Sequence, residues 1–192
     1  VDLEGLKRLA RYLVDFPSMA LVYEQQEFPK YLRTSVDSDH AGCKSSRKST
    51  TGMVQRLGKH VIKSTSNLQS AIGLNVSEAE FYALVHGASH SLGLQAFFKD
   101  LGLSFDIVVE SDSSSARAFS SRRGLGKQRH VQTRFLWLQE RVAAKHLSVV
   151  KVATEANVSD ILTKATNALT LAKHLAKLNV RVVKPHPLHK RC

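Results

Sequence analysis

The sequence feature that most constrains the fold is a long apolar helical pattern between Ser77 and Asp100. Its apolar side chains recur at helical spacing, and the pattern stops at the Leu-Gly pair that follows Asp100. One carboxylate, that of Glu80, lies within this mostly apolar segment. Ser77 and Glu80 have the spacing of a capping box, in which Glu80 would bond to the backbone of Ser77. On these residues alone, capping is favoured over catalysis for Glu80.

Strand and helix patterns alternate around this central helix. Short apolar runs predict strands over residues 20–23, 31–39, 53–57, 60–64, 106–111 and 147–152. Helical spacing predicts further helices over residues 3–14, 113–119 and 131–142, one that opens at Asp160, and continued helix beyond Asn167. Gly58 and Lys59 separate two of the strands and predict a type II′ hairpin turn.

The charge balance favours a polyanionic partner. The 192 residues contain 28 Lys+Arg against 16 Asp+Glu, a formal net charge of +12. Such an excess favours nucleic acid over a membrane surface, because neutralising phosphates releases counterions. A merely basic protein remains the alternative. No apolar run reaches the roughly 18 residues that a membrane helix needs, and the chain begins in what reads as mid-helix, which predicts a segment of a longer polypeptide.

Only two cysteines are present, Cys43 and Cys192, and they are far apart in the chain. This is neither a disulfide framework nor a zinc-binding pattern. The cysteine content therefore predicts a reducing compartment.

Four acids stand at the ends of predicted elements: Asp37, Glu80, Asp112 and Asp160. Acids at such positions commonly cap helices and stabilise their first turns. If folding brought these four together, however, they would repel one another unless a cation joined them. Carboxylate oxygens are the ligands that Mg²⁺ prefers, and paired ions of this kind cleave phosphodiesters by in-line attack.

Five sequence blocks occur in a fixed order: 36–42 (VDSDHAG), 47–52 (RKSTTG), 77–84 (SEAEFYAL), 110–112 (ESD) and 159–164 (SDILTK). Together they resemble the ribonuclease H domain of copia-type (Pseudoviridae-like) LTR retrotransposon Pol polyproteins. Residues 127–135 resemble the Lys-His-Ile-Asp stretch of that group. Residues 6–13 and 21–23 are similar to the connection that precedes the domain, at the end of the reverse transcriptase.

The resemblance implies an α/β ribonuclease H-like fold, a five-stranded mixed sheet flanked by helices. It places the domain at residues 31–166, the end of the reverse transcriptase connection at 1–30 and a basic tail at 167–192. The implied activity is metal-dependent cleavage of the RNA strand of an RNA–DNA hybrid. The implied partners are that hybrid and the remainder of the reverse transcriptase polyprotein, with no membrane. The implied location is the cytoplasm, in a virus-like particle with access to the nucleus.

The resemblance also assigns the catalytic, metal-binding acids to Asp37, Glu80, Asp112 and Asp160. Glu80 is preferred to Glu78 because the family's glutamate precedes an aromatic residue. The implied cofactor is a pair of Mg²⁺ ions, with Mn²⁺ as a substitute. Asp37 would bridge both ions, Glu80 and Asp112 would hold one, and Asp160 the other.

Backbone contacts to the hybrid are predicted for Arg47, Lys48, Ser49, Arg122, Arg123, Lys127 and Arg129. For the four bases between Arg122 and Arg129, the alternative is a solvated surface loop without a binding role. For His130, a structural role is favoured. His40 and Ser113 stand where the family usually has tryptophan and asparagine. These departures are compatible with a degenerate copy of the element that has little catalytic activity. Two hypotheses compete with the nuclease. One is a ribonuclease H-like module that only binds nucleic acid, and the other is a structural domain whose acids cap helices and are scattered over the surface.

Overall fold

A five-stranded mixed sheet forms the centre of the protein. The computed structural model describes residues 3–126 and 130–183. The sheet contains β2 (Tyr31–Ser38), β3 (Thr50–Leu57), β4 (His60–Leu68), β5 (Asp106–Ser111) and β6 (Ser148–Lys151), in the spatial order β4-β3-β2-β5-β6. The first three strands pair antiparallel, whereas β5 pairs parallel with both β2 and β6. This mixed five-stranded sheet with flanking helices confirms the predicted fold class.

Helices and a small second sheet surround this centre. The helices are α1 (Leu3–Asp15), α2 (Val76–Asp100), α3 (Ser114–Ser121), α4 (Trp137–Ala143) and α5 (Ala168–Lys177). The second sheet pairs β1 (Met19–Leu21) antiparallel with β7 (Val180–Val182). Three 3₁₀ turns complete the described structure, at Thr133–Phe135, Thr154–Ala156 and Val158–Leu162.

Strand β3 separates two apolar cores by the alternation of its side chains. Met53 belongs to the larger core, in which Phe81 and Leu84 of α2 pack on the sheet together with side chains from α3 and α4. Val54, the next residue, belongs to the smaller core on the other face, with Val158 and Leu178. The smaller core lies beneath the segment that carries Asp160.

The segments predicted to flank the domain both contact it. β1 and β7 pair with each other, joining the N-terminal segment to the C-terminal one. Leu178 and Val180, at the end of α5 and in β7, pack with the smaller core. The domain boundaries at residues 31 and 166 stay a prediction.

Two predicted helices differ from the structure. The helix predicted over 131–142 is a 3₁₀ turn followed by the short α4, because the backbone of Gln132 is extended. Val131 and Leu138 are nevertheless buried, so the apolar spacing predicted which side chains face the core and not the backbone hydrogen bonding. The helix predicted to open at Asp160 is the 3₁₀ turn Val158–Leu162, and α5 begins only after Asn167.

The β3–β4 hairpin has the predicted two-residue connection. Leu57 pairs with His60, which leaves Gly58 and Lys59 as the turn. Gly58 has a φ of +58°, in the region that the first position of a type II′ turn needs and that glycine adopts without strain.

Residues 3–126 and 130–183 include no helix with the length and apolar character needed to cross a bilayer.

Two glycines of α2 provide a test of the packing between this helix and the sheet. A Cβ at Gly87 would lie 2.4 Å from Cγ1 of Val36, whereas one at Gly93 would meet nothing within 4 Å. We expect Gly87→Ala to lower the free energy of unfolding by about 1–3 kcal/mol through overpacking. Gly93→Ala should raise it by about 0.5–1 kcal/mol, since alanine is the better helix former. Urea denaturation measures both, and equal effects would contradict the close approach at Gly87.

Candidate active site

Three of the predicted acids converge at one edge of the sheet. The parallel pair Ser35 and Glu110 sets the register of β2 and β5, and Asp37 and Asp112 each follow two residues later. Both carboxylates are therefore carried to the same edge. Each of Asp37, Glu80 and Asp112 offers a carboxylate oxygen, and these atoms lie within 4.8 Å of one another. Asp37 and Glu80 are buried and Asp112 is half-buried.

The capping role considered for Glu80 belongs to other residues. Helix α2 begins after Asn75, whose side chain accepts a hydrogen bond of 3.0 Å from the backbone N–H of Glu78. Glu78 in turn accepts one of 2.9 Å from the N–H of Leu74. Because Asn75 and Glu78 take the side-chain hydrogen bonds at the start of the helix, Glu80 is left to face Asp37 and Asp112.

Glu78 is held in a separate buried network. It is 2% exposed, and it accepts hydrogen bonds from the Tyr82 hydroxyl and the Leu74 N–H. His130 Nε2 lies 2.7 Å from Glu78 Oε2, so the predicted structural role of His130 has a concrete partner. Burial alone would raise the pKa of Glu78, but the hydrogen bonds from Tyr82, Leu74 and His130 hold that pKa below its ordinary value. Glu78 is therefore set apart from the three converging acids.

Asp160 reaches this edge on the 3₁₀ turn Val158–Leu162. Asn157 caps the turn, so the capping role that competed with catalysis for Asp160 is taken by its neighbour. Asn157 also donates from Nδ2 to the carbonyl oxygen of Val36, at 3.0 Å, which ties the turn to β2. Among the described residues, Asp160 does not join the three-acid group; its Oδ1 lies 2.9 Å from Nζ of Lys164.

A glycine allows the turn to lie against the sheet. Gly52 pairs with Asp37 across β2 and β3, and a Cβ there would lie 2.7 Å from the carbonyl oxygen of Ser159. The same Cβ would lie 2.9 Å from Cγ2 of Thr163. This close approach places the Thr163 hydroxyl where it donates a hydrogen bond to Asp37 Oδ2.

Burial and mutual repulsion change the ionisation of these acids. Burial raises the pKa of Glu80 to about 8, and the negative charges of Asp37 and Asp112 add to the rise. Burial also raises the pKa of Asp37; the Thr163 hydrogen bond opposes this rise, and the charge of Asp160 adds to it. The site therefore concentrates more negative charge than its own hydrogen bonds compensate.

The donor set fits a divalent cation. Glu80 Oε2 is buried and has no hydrogen-bond partner in the part of the chain that the structure describes. An unpaired buried polar atom is costly, and a cation would satisfy it. Hard carboxylate oxygens suit Mg²⁺, and Mn²⁺ accepts the same ligands. Asp37, Glu80 and Asp112 are thus the residues that would hold an ion, with Asp160 beside them.

The first predicted nucleic-acid-binding group lies in the β2–β3 loop, directly after the strand that carries Asp37. Arg47 is exposed and Lys48 is half-buried. Ser49 is buried, and its hydroxyl accepts a hydrogen bond of 3.0 Å from the N–H of Ala41. The hydroxyl of Ser49 thus closes the loop and is not presented to solvent. Asp39, outside the predicted catalytic set, likewise accepts a hydrogen bond from the N–H of Thr50.

The second predicted group lies in the loop after α3. Arg122 is exposed but folded back, with its guanidinium carbon 4.4 Å from the centroid of the Phe119 ring. Arg123 is exposed. The Gln139 side chain anchors the loop by accepting a hydrogen bond of 2.8 Å from the N–H of Gly124. Lys127 and Arg129 lie outside the described residues.

Comparisons with known proteins relate the chain to transposon Pol polyproteins. No family model matches the chain. A retrovirus-related Pol polyprotein from transposon TNT 1-94 of Nicotiana tabacum is 31% identical over 180 residues, which is 92% of this chain. Another, from transposon RE1 of Arabidopsis thaliana, is 26% identical over 186 residues, or 95% of this chain. The chain is a homologue of Pol polyproteins from plant copia-type transposons. It spans 13% of the length of each of these two relatives.

A solved structure supports the fold. The ribonuclease H1 named LC11, isolated from compost by a metagenomic approach, superposes with a TM-score of 0.50 at 18% identity. The match covers 76% of this chain and 99% of that protein. At this identity the likeness shows the fold alone, and the chain has the ribonuclease H-like fold. The sequence relatives thus confirm the resemblance to copia-type Pol polyproteins, and the solved structure confirms the ribonuclease H-like fold.

Thr163 and Lys164 had no predicted role, although both belong to the sequence block 159–164. Their spacing carried a signal, because residues three and four positions after Asp160 lie near it on one face of a helical turn. The roles of Asn157 and Gly52 in seating the turn carried no comparable signal, since they depend on contacts with remote strands.

The buried Glu80 predicts how the stability of the metal-free protein depends on pH. In the fold its pKa is about 8, against an ordinary value of 4.5. Between these values the folded state binds more protons than the unfolded chain, so the free energy of unfolding falls as pH rises. His86, His90 and His174 have lowered pKa values and act in the opposite direction, so the contribution of Glu80 is measured against Glu80→Gln, which cannot titrate. In chelator, we expect the urea midpoint of the wild type to fall relative to that of Glu80→Gln between about pH 6 and about pH 8; no relative change would contradict the assignment.

Proposed function

We propose that this chain is a metal-dependent endoribonuclease that hydrolyses the RNA strand of RNA–DNA hybrids during retrotransposon reverse transcription. The observation that carries the proposal is the meeting of Asp37, Glu80 and Asp112 at one edge of a ribonuclease H-like sheet. The homology to Pol polyproteins supports the biological setting. A structural domain with scattered capping acids does not account for this convergence, because Asn75 and Asn157 do the capping.

The chain's own residues prepare the site for divalent ions. Asp37, Glu80 and Asp112 would hold one ion, and Asp160 would contribute to a second beside Asp37. When bound, Mg²⁺ supplies activation of a water nucleophile and stabilisation of charge on the leaving 3′ oxygen. Thr163 fixes the orientation of Asp37 through its hydroxyl. The capping pair of Asn75 and Glu78 fixes the start of α2 and therefore the position of Glu80.

Basic side chains in two loops supply contacts to the hybrid backbone. Arg47 and Lys48 stand in the loop that directly follows the Asp37 strand, and Arg123 is exposed in the loop after α3. Hybrids are recognised through their A-like shape, 2′-hydroxyls and phosphates, with little reading of bases. The formal charge of +12 favours such binding and predicts that it weakens with salt. Lys127 and Arg129 remain predicted contacts, and the remainder of the polyprotein a predicted partner.

Cleavage of a labelled hybrid tests the proposal. We expect the purified chain to cut the RNA strand with Mg²⁺ and not with chelator. Asp37→Asn should lower the rate by a factor of about 100 or more, because it removes a charged ligand that the transition state requires. Asp100→Asn, at the far end of α2 from Glu80, removes an equal charge and should leave the rate unchanged.

Two results would contradict the enzyme assignment. One is hybrid binding without cutting at any Mg²⁺ or Mn²⁺ concentration, which would favour the module that only binds nucleic acid. The other is cutting by the wild type and Asp37→Asn at equal rates, which would indicate a contaminating nuclease. Circular dichroism of each variant checks that the fold is retained.

A further inference from the structure

Lys164 places a positive charge at the edge of the acidic site. Its Nζ lies 2.9 Å from Oδ1 of Asp160, whose side chain is only 10% exposed. The Lys164 side chain itself is 53% exposed, so the ammonium reaches the acids from the solvent side. An ion pair between exposed groups would contribute little, but here one partner is buried among other acids.

The charge of Lys164 acts on the whole acidic cluster. Burial by itself lowers the pKa of Lys164, yet the contact with Asp160 and the charges of Asp37 and Asp112 raise that pKa above its ordinary value. In return, the ammonium lowers the pKa of Asp37 and that of Glu80, against the effect of burial. Lys164 therefore offsets part of the repulsion among the acids in the metal-free protein.

Backbone hydrogen bonds hold this segment, whereas the Lys164 side chain is half exposed. The N–H groups of Thr163 and Lys164 both donate to the carbonyl oxygen of Asp160, at 3.2 Å. The turn is also held against β3 by the close approach at Gly52. The half-exposed ammonium can leave Asp160 by side-chain rotation without moving this backbone.

We propose that Lys164 occupies the cation position at Asp160 in the metal-free protein and competes there with a second divalent ion. This inference rests on the proposed function and gives the two ion positions unequal affinity. The three-acid group takes an ion without displacing any residue. An ion at Asp160 must displace the ammonium, so Lys164 sets the metal concentration at which the second position fills.

Calorimetric titration of the purified chain with Mg²⁺, without nucleic acid, tests the competition. We expect the wild type to bind one ion more tightly than the second. Lys164→Gln should raise the affinity for the second ion by about tenfold. This is less than the full interaction between two unit charges, because the lysine is half exposed and solvent screens its charge. Lys164→Arg keeps the charge and should behave like the wild type. Lys59→Gln, in the hairpin turn at the opposite end of β2 from Asp37, removes an equal charge and should have no effect.

Thermal unfolding gives a second measurement that does not depend on activity. In chelator, Lys164→Gln should have a lower Tm than Lys59→Gln, because it leaves the acids without their resident counter-charge. Added Mg²⁺ should raise its Tm by more than it raises that of the wild type, through tighter binding to the folded state.

The outcomes separate this inference from the proposed function. Two ions bound by the wild type and by Lys164→Gln with equal affinities would overturn the role of Lys164 and leave the nuclease proposal standing. No Mg²⁺ or Mn²⁺ binding by either protein would overturn both. Second-ion binding that is weaker in Lys164→Gln than in the wild type would also overturn the competition, since it would show that Lys164 supports the ion.

Discussion

Repulsion among carboxylates gathered in a partly dehydrated space is the constraint on which the structure of this site depends. Asp37 and Glu80 are buried side by side, and burial and neighbouring charge raise the pKa of each. Such an arrangement is unfavourable unless protons, hydrogen bonds or cations compensate the charge. The protein uses a hydroxyl from Thr163 and an ammonium from Lys164, and leaves one oxygen of Glu80 without a partner in the described structure. A metal ion bound to that oxygen would remove the cost of leaving it buried without a partner.

The fold holds the acids together against this repulsion through contacts remote from the chemistry. Parallel pairing of β2 with β5 brings Asp37 and Asp112 to one edge. The absence of a side chain at Gly87 lets α2 approach β2, which carries Glu80 to the same edge. Each of these contacts is made by backbone or by an apolar side chain. The geometry of the acids is therefore determined by packing of the larger core and by the register of the sheet.

How much of this was predictable from sequence depends on the range of the interactions. The strands and α2 followed from local apolar patterns, and the resemblance to copia-type domains supplied the five-stranded mixed sheet; the spatial order of the strands was not predicted. The resemblance also preferred Glu80 to Glu78 as the metal-binding glutamate, whereas local pattern alone assigned the helix cap to Ser77 and Glu80. The actual cap uses Asn75, a residue with equal propensity for that role that lies two positions earlier.

Other features depended on contacts that no local pattern contains. The segment before α4 is not a regular helix, although its apolar spacing is helical. The backbone is extended at Gln132, and Val131 and Leu138 are nevertheless both buried in the core. The 3₁₀ turn of Asp160 is seated by Val36 and Gly52, which precede it by more than 100 residues. Ser49 looked like a backbone contact for nucleic acid within a basic stretch, and its buried bond to Ala41 emerges only when the loop closes.

Direct observation of a bound ion tests the central claim that these acids converge to share divalent metal. Crystals of the protein soaked in Mn²⁺ would give an anomalous difference map that locates the ion independently of any assay. We expect the strongest peak between the carboxylates of Asp37, Glu80 and Asp112. A strongest peak away from these three side chains, or none at saturating Mn²⁺, would contradict it.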